Sequence, residues 1–458
     1  MPSLFRRAVL NHCSPIIEMN YMRKLILTLS LVCAAITATA QTSLEEIREN
    51  PNKAGGIYLA YPVTESVNTP APKGYEPFYI SHYGRHGSRY LIGDNDYLWL
   101  IKLFEKADKA DALTPLGKSV LQRLQQLWPE AEGRGGDLTP LGARQHKGIG
   151  RRMITAFPQV FADGAQMTAR STVVLRCALS MVACCEGLKE INPSLEIPKE
   201  SSDRWMKYLN YHSDKSNYYT RRDGTWAEEN RKFREAMTLP DRLIGTLFSN
   251  DKFVLRNVNP GEVMWGLYWV AVDTQNMETP VELLDIFTPE ELFGLWQSHN
   301  YSFYATNSNP VPANGLLLSN ARPQLQNMLE SARQKISDRA HGADLRFGHD
   351  GNLIPLAGLL NLHNCYGQTD DPYKLYTVYS DFKIAPMAGN IQIVFFRPAK
   401  AVKQKADGED VLVKFMLNER EVPVDALHTD NFPFYKWKDV EAYWQSILDT
   451  PIPEAVAD

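Results

Sequence analysis

Cysteine is scarce in this chain of 458 residues, and neither cysteine nor histidine occurs at the spacing of a zinc site. Of its 6 cysteines, four lie beyond the N-terminal segment: Cys177, Cys184, Cys185 and Cys365. Cys184 and Cys185 are adjacent, so on a helix they would point to different sides and should not pair with each other. We therefore expect buried free thiols with at most one disulfide bond, no metal and no other cofactor.

An excess of charge of one sign is also lacking. The formal net charge is −4, so no overall basic field favours a nucleic-acid partner, although a local basic pocket is compatible with it. Hydrophobic residues make up 44% and charged residues 22% of the chain, which is ordinary for a soluble globular protein. We expect a small-molecule partner, and the sequence leaves the oligomeric state open.

Apolar runs long enough for a membrane span are lacking too. The run at 25–36 is too short for a comfortable transmembrane helix. It follows the basic pair after Met22 and precedes an A-x-A pattern ending at Ala40, as in a cleaved signal peptide. We interpret residues 1–41 as an upstream extension and a signal peptide, which predicts a periplasmic or secreted protein. Lipidation of Cys33 is the alternative, but Val32 is a poor residue before a lipidated cysteine.

Three predicted strands each end in a charged cluster. The strand at 78–80 leads into "GRHGSR", the strand at 165–169 into "RSTVVLR", and the strand beginning near 343 into "GHDG". Ligands of open α/β sheets bind beyond the carboxyl ends of the strands. We therefore expect these three clusters to meet at one crevice.

The order of predicted elements indicates an α/β fold with a helical interruption. Helical patterns dominate 200–335, and strong strand patterns return at 390–397 and 411–417. The simplest architecture is a three-layer α/β/α sandwich with an inserted, mostly helical domain. We place the α/β catalytic domain at 42–190 and 336–458, and the helical insertion at 191–335.

The first cluster places a histidine between two arginines on a glycine-containing loop. Arg85 and Arg89 can hold a phosphate dianion through planar, permanently charged guanidinium groups. Their positive charge favours the neutral imidazole of His86, which leaves a ring nitrogen free to attack phosphorus. Gly84 and Gly87 let the backbone approach the ligand closely. The same stretch could also be no more than a structural turn.

A proton donor is needed for the leaving alkoxide, and Asp350 beside His349 fits this role. A bound phosphate dianion would raise the pKa of such a carboxyl group, so that it could hold a proton at mildly acidic pH. The same carboxylate could then act as a base toward water. A lone His-Asp pair is weak evidence for a catalytic site. The three charged clusters in this order along the chain are stronger evidence than any one of them.

These motifs resemble those of the histidine acid phosphatases, a branch of the histidine phosphatase superfamily. The similar segments are "RHGSR" at 85–89, "LTPLGARQHKGIGRRM" at 138–153, "RSTVVLR" at 170–176 and "GHDGNLIPL" at 348–356. Within the family, "FGHDGNLIPL", "IAPMAGNIQIVFFR" and "VKFMLNE" look most like multiple inositol polyphosphate phosphatases, a group with phytase activity. The resemblance implies a phosphoglycerate-mutase-like fold and hydrolysis of phosphate monoesters, with inositol hexakisphosphate as a candidate substrate.

The resemblance also implies residue roles. His86 would be the nucleophile and Asp350 the proton donor, while Arg170 would support the site, with direct contact to the phosphate as the second choice for Arg170. Four further residues would hold the phosphate: Arg85, Arg89, Arg176 and His349.

This chain departs from the family pattern in places. Tyr90 stands where a proline usually follows the second arginine, which bears on loop rigidity. Many inositol polyphosphate phosphatases carry His-Ala-Glu where this chain has His349-Asp350-Gly351. That difference bears on the substrate more than on the reaction.

Three alternatives stay open: a general acid phosphatase for sugar or other organic phosphates, a phosphomutase, and a protein that binds phosphorylated ligands without turnover. For a polyphosphorylated substrate we expect basic residues from about 200–240 to face the crevice. The candidates are Lys207, Lys215, Arg221, Arg222 and Lys232. We expect His82 and His146 to be structural, and Trp265 and Trp269 to lie in the core of the helical domain.

Overall fold

The structure is a computed structural model that describes residues 42, 44–62, 68–399 and 408–455. The predicted signal peptide and the alternative lipidation site at Cys33 lie outside the described residues. Within the described ranges, no helix combines the length and the apolar character needed to span a membrane.

A mixed β-sheet of eight strands lies at the centre of the described chain, in the order β3-β2-β4-β1-β5-β6-β7, with β8 paired to β6. The strands are β1 (Tyr75–Arg85), β2 (Thr168–Ser171), β3 (Lys199–Ser201), β4 (Gly342–Gly348), β5 (Asn390–Pro398), β6 (Leu412–Leu417), β7 (Arg420–Glu421) and β8 (Tyr435–Lys436).

The direction of the strands determines where a site can form. Strands β1, β2, β3 and β4 run parallel, whereas β5 runs antiparallel to β1, and β6 antiparallel to β5. The carboxyl ends of β1, β2 and β4 therefore lie at one edge of the sheet, and β5 begins at that edge. The loops after these strands carry the three predicted charged clusters.

Helices cover both faces of the sheet and extend beyond it. They are α1 (Leu44–Glu49), α2 (Asn95–Lys109), α3 (Pro115–Ala131), α4 (Pro140–Ala156), α5 (Leu175–Ile191), α6 (Asp203–Leu209), α7 (Asp214–Tyr219), α8 (Thr225–Met237), α9 (Asp241–Leu247), α10 (Asp251–Asn257), α11 (Pro260–Asp273), α12 (Pro289–Asn307), α13 (Arg322–Ser337), α14 (Asp350–Leu359), α15 (Asp381–Ile384) and α16 (Trp437–Asp449).

Alternation along β1 divides its side chains between two cores, because successive residues of a strand point to opposite faces. Ile80 packs in one core with Met153 of α4 and Met181 of α5. Tyr79 packs in the other with residues of α13, α14 and α16. The predicted α/β/α layering is therefore confirmed.

A third hydrophobic core lies among helices that are not part of the two layers packed on the sheet. Leu100 of α2, Leu124 of α3 and Leu267 of α11 pack together there. Strand β3 pairs with β2 although it lies within the range 191–335, and α2 and α3 join the helical core from outside that range. The predicted division into domains stays a prediction, and these contacts cross the predicted boundaries between the domains.

The cysteines of the described chain are buried and free: Cys177, Cys184, Cys185 and Cys365.

Candidate active site

The loop after β1 is tied to the two neighbouring strands by its backbone. The Arg85 amide donates to Gly389 O at 2.8 Å, and the His86 amide donates to Gly348 O at 3.0 Å. A glycine is needed at position 87 for the loop to pack against Gly142, since a Cβ there would lie 2.5 Å from Gly142 O. The loop is therefore held by β4, β5 and the start of α4.

His86 is buried, with its ring fixed in one tautomer. Its Nδ1 lies 2.9 Å from Gly87 O, and because a carbonyl oxygen only accepts, Nδ1 carries the proton. The Nε2 atom therefore has a free lone pair. Burial, followed by the charges of Arg85, Arg176 and Arg89, lowers the pKa of His86 well below its usual range. The ring is neutral at physiological pH, as a nucleophile requires.

Arg85 is fully buried behind the cavity and is fixed by the backbone. Its Nη1 donates to Ile57 O at 2.5 Å and to Ala385 O at 2.7 Å. Its Nη2 lies 2.8 Å from Asp350 Oδ2, so the two form an ion pair. Removing either charge would leave the other without its partner in a buried setting.

Arg89 and Arg176 reach the cavity from the loop after β1 and from α5. The Arg89 Nη1 donates to Tyr90 O at 2.8 Å, and its Nη2 donates to the Tyr58 hydroxyl at 3.0 Å. Arg176 Nη1 donates to Gly136 O at 3.4 Å. Both guanidinium groups keep further N–H donors for an anion.

His349 follows β4 directly and is the residue before α14. Its backbone amide donates to the Tyr83 hydroxyl at 3.2 Å, and its Nε2 lies 3.3 Å from Thr172 Oγ1. Burial is the largest cause that lowers the pKa of His349, to about 4. Its ring is therefore neutral, with one N–H to donate.

Asp350 is the first residue of α14 and is ionised in this structure. Burial by itself would raise the pKa of its carboxyl group, but the charge of Arg85, followed by those of His349 and Arg89, lowers the pKa overall. A hydrogen bond from the backbone also favours the ionised carboxylate, because the Gly351 amide donates to Asp350 Oδ1 at 2.7 Å.

These groups face a cavity of about 380 Å³. Five of the predicted site residues line it, namely His86, Arg89, Arg176, His349 and Asp350, and Arg85 lies behind Asp350. The other lining residues come from the N-terminal segment and from α8, α11 and α12: Ile57, Tyr58, Asn230, Arg234, Trp265, Trp269, Ser298, His299, Ser302 and Phe303.

Several predicted candidates lie elsewhere. None of the five basic candidates from 200–240 lines the cavity. Three of them have ion-pair partners: Lys215 with Glu454, Arg221 with Asp223, and Lys232 with Glu228. The basic residue that this region brings to the cavity is Arg234, which the sequence analysis missed. The expectation of a cation from this region holds, but its identity was wrong.

Arg170 and the two histidines that were expected to be structural do not line the cavity, and the supporting role of Arg170 stays a prediction. Arg170 Nε donates to Glu200 at 3.0 Å, and its guanidinium lies 4.0 Å from the Trp205 ring centroid. His146 Nε2 donates to Arg85 O at 2.9 Å, so it fixes the loop backbone. His82 is fully buried, and neither of its ring nitrogens has a hydrogen-bond partner among the described residues.

Comparison with known proteins places this site in a family. Residues 84–418 match the sequence profile described as "Histidine phosphatase superfamily (branch 2)". The chain belongs to this superfamily. As a member of this histidine phosphatase branch, it is a phosphoric monoester hydrolase, and the match includes all six predicted site residues.

Individual relatives of the histidine phosphatase are distant in sequence and similar in fold. Multiple inositol polyphosphate phosphatase 1 of Gallus gallus is 22% identical over 401 residues, which cover 82% of this chain and 83% of that protein. The crystal structure of Bifidobacterium longum multiple inositol polyphosphate phosphatase in complex with inositol hexasulfate has a TM-score of 0.71 at 19% identity, covering 85% of this chain and 97% of that one. The phytase from D. castellii has a TM-score of 0.62 at 16% identity, covering 87% and 85%.

Proposed function

We propose that this protein hydrolyses phosphate monoesters through a phosphohistidine intermediate on His86. The observation that carries the proposal is the fixed tautomer of His86, whose Nδ1–H is bound to Gly87 O. His86, whose Nε2 is unprotonated, lines a cavity together with Arg89, Arg176 and His349. These three residues hold the phosphate dianion and stabilise the charge of the transition state, and Arg85 adds positive charge from behind Asp350.

In the first half-reaction, His86 Nε2 forms a bond to phosphorus and the ester P–O bond breaks. The leaving alkoxide takes a proton from Asp350, and the alcohol departs. Asp350 is ionised without ligand because Arg85 lies beside it. A phosphate dianion bound to the arginines offsets their charge, so Asp350 can hold a proton once the substrate has bound.

In the second half-reaction, water attacks the phosphorus of phosphohistidine and the P–N bond breaks. The Asp350 carboxylate accepts the proton of this water, so that inorganic phosphate and neutral His86 are regenerated. In this scheme one carboxyl group acts as acid and then as base, and Asp350 is the one acidic residue among the described residues that line the cavity.

We propose inositol polyphosphates such as phytate as the substrates. The support is that similar proteins are named multiple inositol polyphosphate phosphatase and phytase, and that one of them was crystallised with inositol hexasulfate. A screen of inositol hexakisphosphate, glucose phosphate and an aryl phosphate tests this. Equal kcat/KM values on all three would favour a general acid phosphatase instead.

We also propose that the protein is exported to the periplasm or secreted, on the basis of the signal-peptide pattern that ends at Ala40. N-terminal sequencing of the protein recovered from its native cell envelope or medium tests this. A mature protein that still begins at or before Met22 would contradict it.

The covalent step is tested with His86→Ala. The variant should fold, because His86 contributes little to the hydrophobic cores, and should lose turnover entirely. Quenching the wild type in alkaline detergent during turnover of a radiolabelled phosphate ester should trap a protein-bound phosphate that is stable to alkali and labile to acid. His428→Ala is the matched control, since His428 is exposed and distant from the cavity lining. Near-wild-type activity of His86→Ala would rule out the covalent scheme, and with it this proposal.

A further inference from the structure

The carboxylate of Asp381 is a second buried acidic group near the catalytic cluster, and it does not line the cavity. Asp381 is fully buried at the start of α15. Its Oδ1 accepts the Trp296 indole N–H at 3.0 Å and the Phe382 amide at 2.8 Å, and its Oδ2 accepts the Ile57 amide at 3.2 Å. Donors from α12, α15 and the N-terminal segment therefore converge on one carboxylate.

Asp381 holds both segments whose carbonyl oxygens bind Arg85. Arg85 Nη1 donates to Ile57 O at 2.5 Å and to Ala385 O at 2.7 Å. The Ile57 amide is bound to the Asp381 side chain, whereas the Ala385 amide donates to the Asp381 carbonyl oxygen at 2.8 Å and closes the turn of α15. A shift of Asp381 would therefore move both acceptors of Arg85 Nη1.

The backbone before Ile57 approaches Asp381 closely because residue 56 is a glycine. Gly56 has a φ of 57°, and a Cβ there would lie 2.6 Å from Asp381 Oδ2 and 2.9 Å from His299 Nδ1. His299 Nδ1 lies 3.8 Å from the same Oδ2. A side chain at position 56 would therefore push against the carboxylate.

Arg85 interacts with two acidic groups. Its Nη2 lies 2.8 Å from Asp350 Oδ2. Burial is the largest effect on the pKa of Asp381 and raises it to about 6, whereas the charge of Arg85 is among the effects that oppose this rise. At pH 7 Asp381 is therefore ionised, and the buried carboxylate and the buried guanidinium stabilise each other.

We propose that Asp381 is a positioning residue for phosphoryl transfer. It lies outside the cavity, but it fixes Arg85 through Ile57 and Ala385. Arg85 in turn fixes the Asp350 carboxylate. The inference rests on the proposed function, in which Asp350 donates a proton to the leaving group and then accepts one from water. A displacement of Arg85 would misplace that carboxyl group, and a small misplacement of a catalytic group lowers turnover steeply.

The role of Asp381 is tested with Asp381→Asn in two backgrounds, the wild type and Arg85→Lys. Arg85→Lys keeps a positive charge but lacks the guanidinium that binds two carbonyl groups and a carboxylate at once. Asp381→Asn should lower kcat/KM for inositol hexakisphosphate at pH 7 about tenfold in the wild type, and less than about twofold in Arg85→Lys. An effect that disappears in the second background identifies a residue that acts through Arg85.

Asp344→Asn is the matched control. Asp344 is also a buried carboxylate, and it accepts the hydroxyl groups of Tyr79 at 2.7 Å and Thr168 at 2.6 Å in the first half of β4. It does not line the cavity and holds neither segment that binds Arg85. Any loss of kcat/KM that Asp344→Asn causes should therefore be the same in the two backgrounds.

A second variant and a second measurement cover the case in which Asp381→Asn is poorly folded. Gly56→Ala presses on the Asp381 carboxylate without a change of charge, so its loss of kcat/KM should also shrink in Arg85→Lys. A crystal structure of either variant should show Arg85 Nη2 displaced from Asp350 Oδ2, relative to the 2.8 Å of this structure.

Equal losses in the two backgrounds would overturn the assignment, because they describe general damage to the fold. An Arg85–Asp350 ion pair that is unchanged in the variants would also overturn it. If the wild type releases phosphate from neither inositol hexakisphosphate nor an aryl phosphate, the proposed function itself fails. The two failures are therefore distinguishable.

Discussion

The phosphate side and the leaving-group side of the cavity are built from different parts of the chain. The phosphate side comes from loops at the carboxyl ends of β1 and β4, and its arginines are held by backbone carbonyls and an ion pair. The leaving-group side comes from α8, α11 and α12, and it consists of aromatic rings, neutral polar groups and Arg234. The phosphate side is therefore suited to one kind of charged group, whereas the side chains of the leaving-group side offer mixed polar and aromatic contacts. Under the proposed function, the type of reaction and the preference for a substrate therefore have separate structural origins.

Among variants that distinguish the two sides of the cavity, the largest effect should come from Asp350→Asn. This variant cannot protonate the leaving group, so turnover of inositol phosphates should fall about 10²–10⁴-fold. Turnover of an aryl phosphate should fall much less, since its leaving group needs no proton. Steady-state rates on both substrates measure the difference. Equal losses would assign the acid to another residue. Glu419 is poorly placed for that role, because it binds Arg152 and Tyr61 and does not line the cavity.

The next effect concerns the stability of the phosphate side. His82 lies under the loop, and burial, followed by the charges of His146 and Arg346, lowers its pKa from 6.5 to about 3. The unfolded chain binds a proton at His82 below pH 6.5 while the folded chain does not, so stability falls as the pH drops from 6.5 toward 3. At pH 5 the loss from one such histidine is about 2 kcal/mol.

His82→Phe tests this prediction, because the ring is kept and neither nitrogen of His82 has a partner among the described residues. The difference in unfolding free energy between pH 7 and pH 5, from urea titrations, should shrink by about 2 kcal/mol relative to the wild type. His428→Phe, at an exposed position, is the control. An undiminished pH dependence in His82→Phe would contradict the prediction.

A smaller effect is expected from Tyr58→Phe, because Tyr58 belongs to both sides. The variant keeps the aromatic ring and loses the hydroxyl that accepts from Arg89 Nη2 at 3.0 Å. We expect kcat/KM to fall about tenfold on all phosphate monoesters, as for loss of one hydrogen bond to a charged group. Tyr218→Phe is the matched control at an exposed tyrosine. If only cyclic substrates were affected, Tyr58 would act through its ring alone.

The smallest effect is expected from the charges that the sequence analysis proposed and the structure places outside the cavity lining. Lys215→Gln and Lys232→Gln should change kcat/KM for inositol hexakisphosphate less than twofold, because their exposed ion pairs contribute little and are screened by salt. A larger, salt-dependent rise in KM would mean that the leaving-group side extends to α7 and the outer face of α8.

The same contrast explains what could be predicted from the sequence. The residues of the phosphate side lie in short contiguous motifs after predicted strands, so Arg85, His86 and Asp350 were identifiable together. The leaving-group side has no such motif. Trp265, Trp269 and Arg234 follow ordinary helical spacing, and a cavity-lining tryptophan has the same sequence pattern as a buried one. Tyr58 was also missed, because its position depends on the turn at Gly56, where φ is 57°.

The backbone hydrogen bonds of the loop that carries His86 have a consequence for the biosynthesis of the enzyme. The amides of Arg85 and His86 donate to the carbonyl oxygens of Gly389 and Gly348, which the ribosome adds about 300 and 260 residues later. The loop therefore cannot adopt its reactive shape until β4 and β5 have docked beside β1. A nascent chain that lacks these strands carries His86 without the backbone partners of its loop, so enzymatic activity arises late in biosynthesis, together with closure of the central sheet.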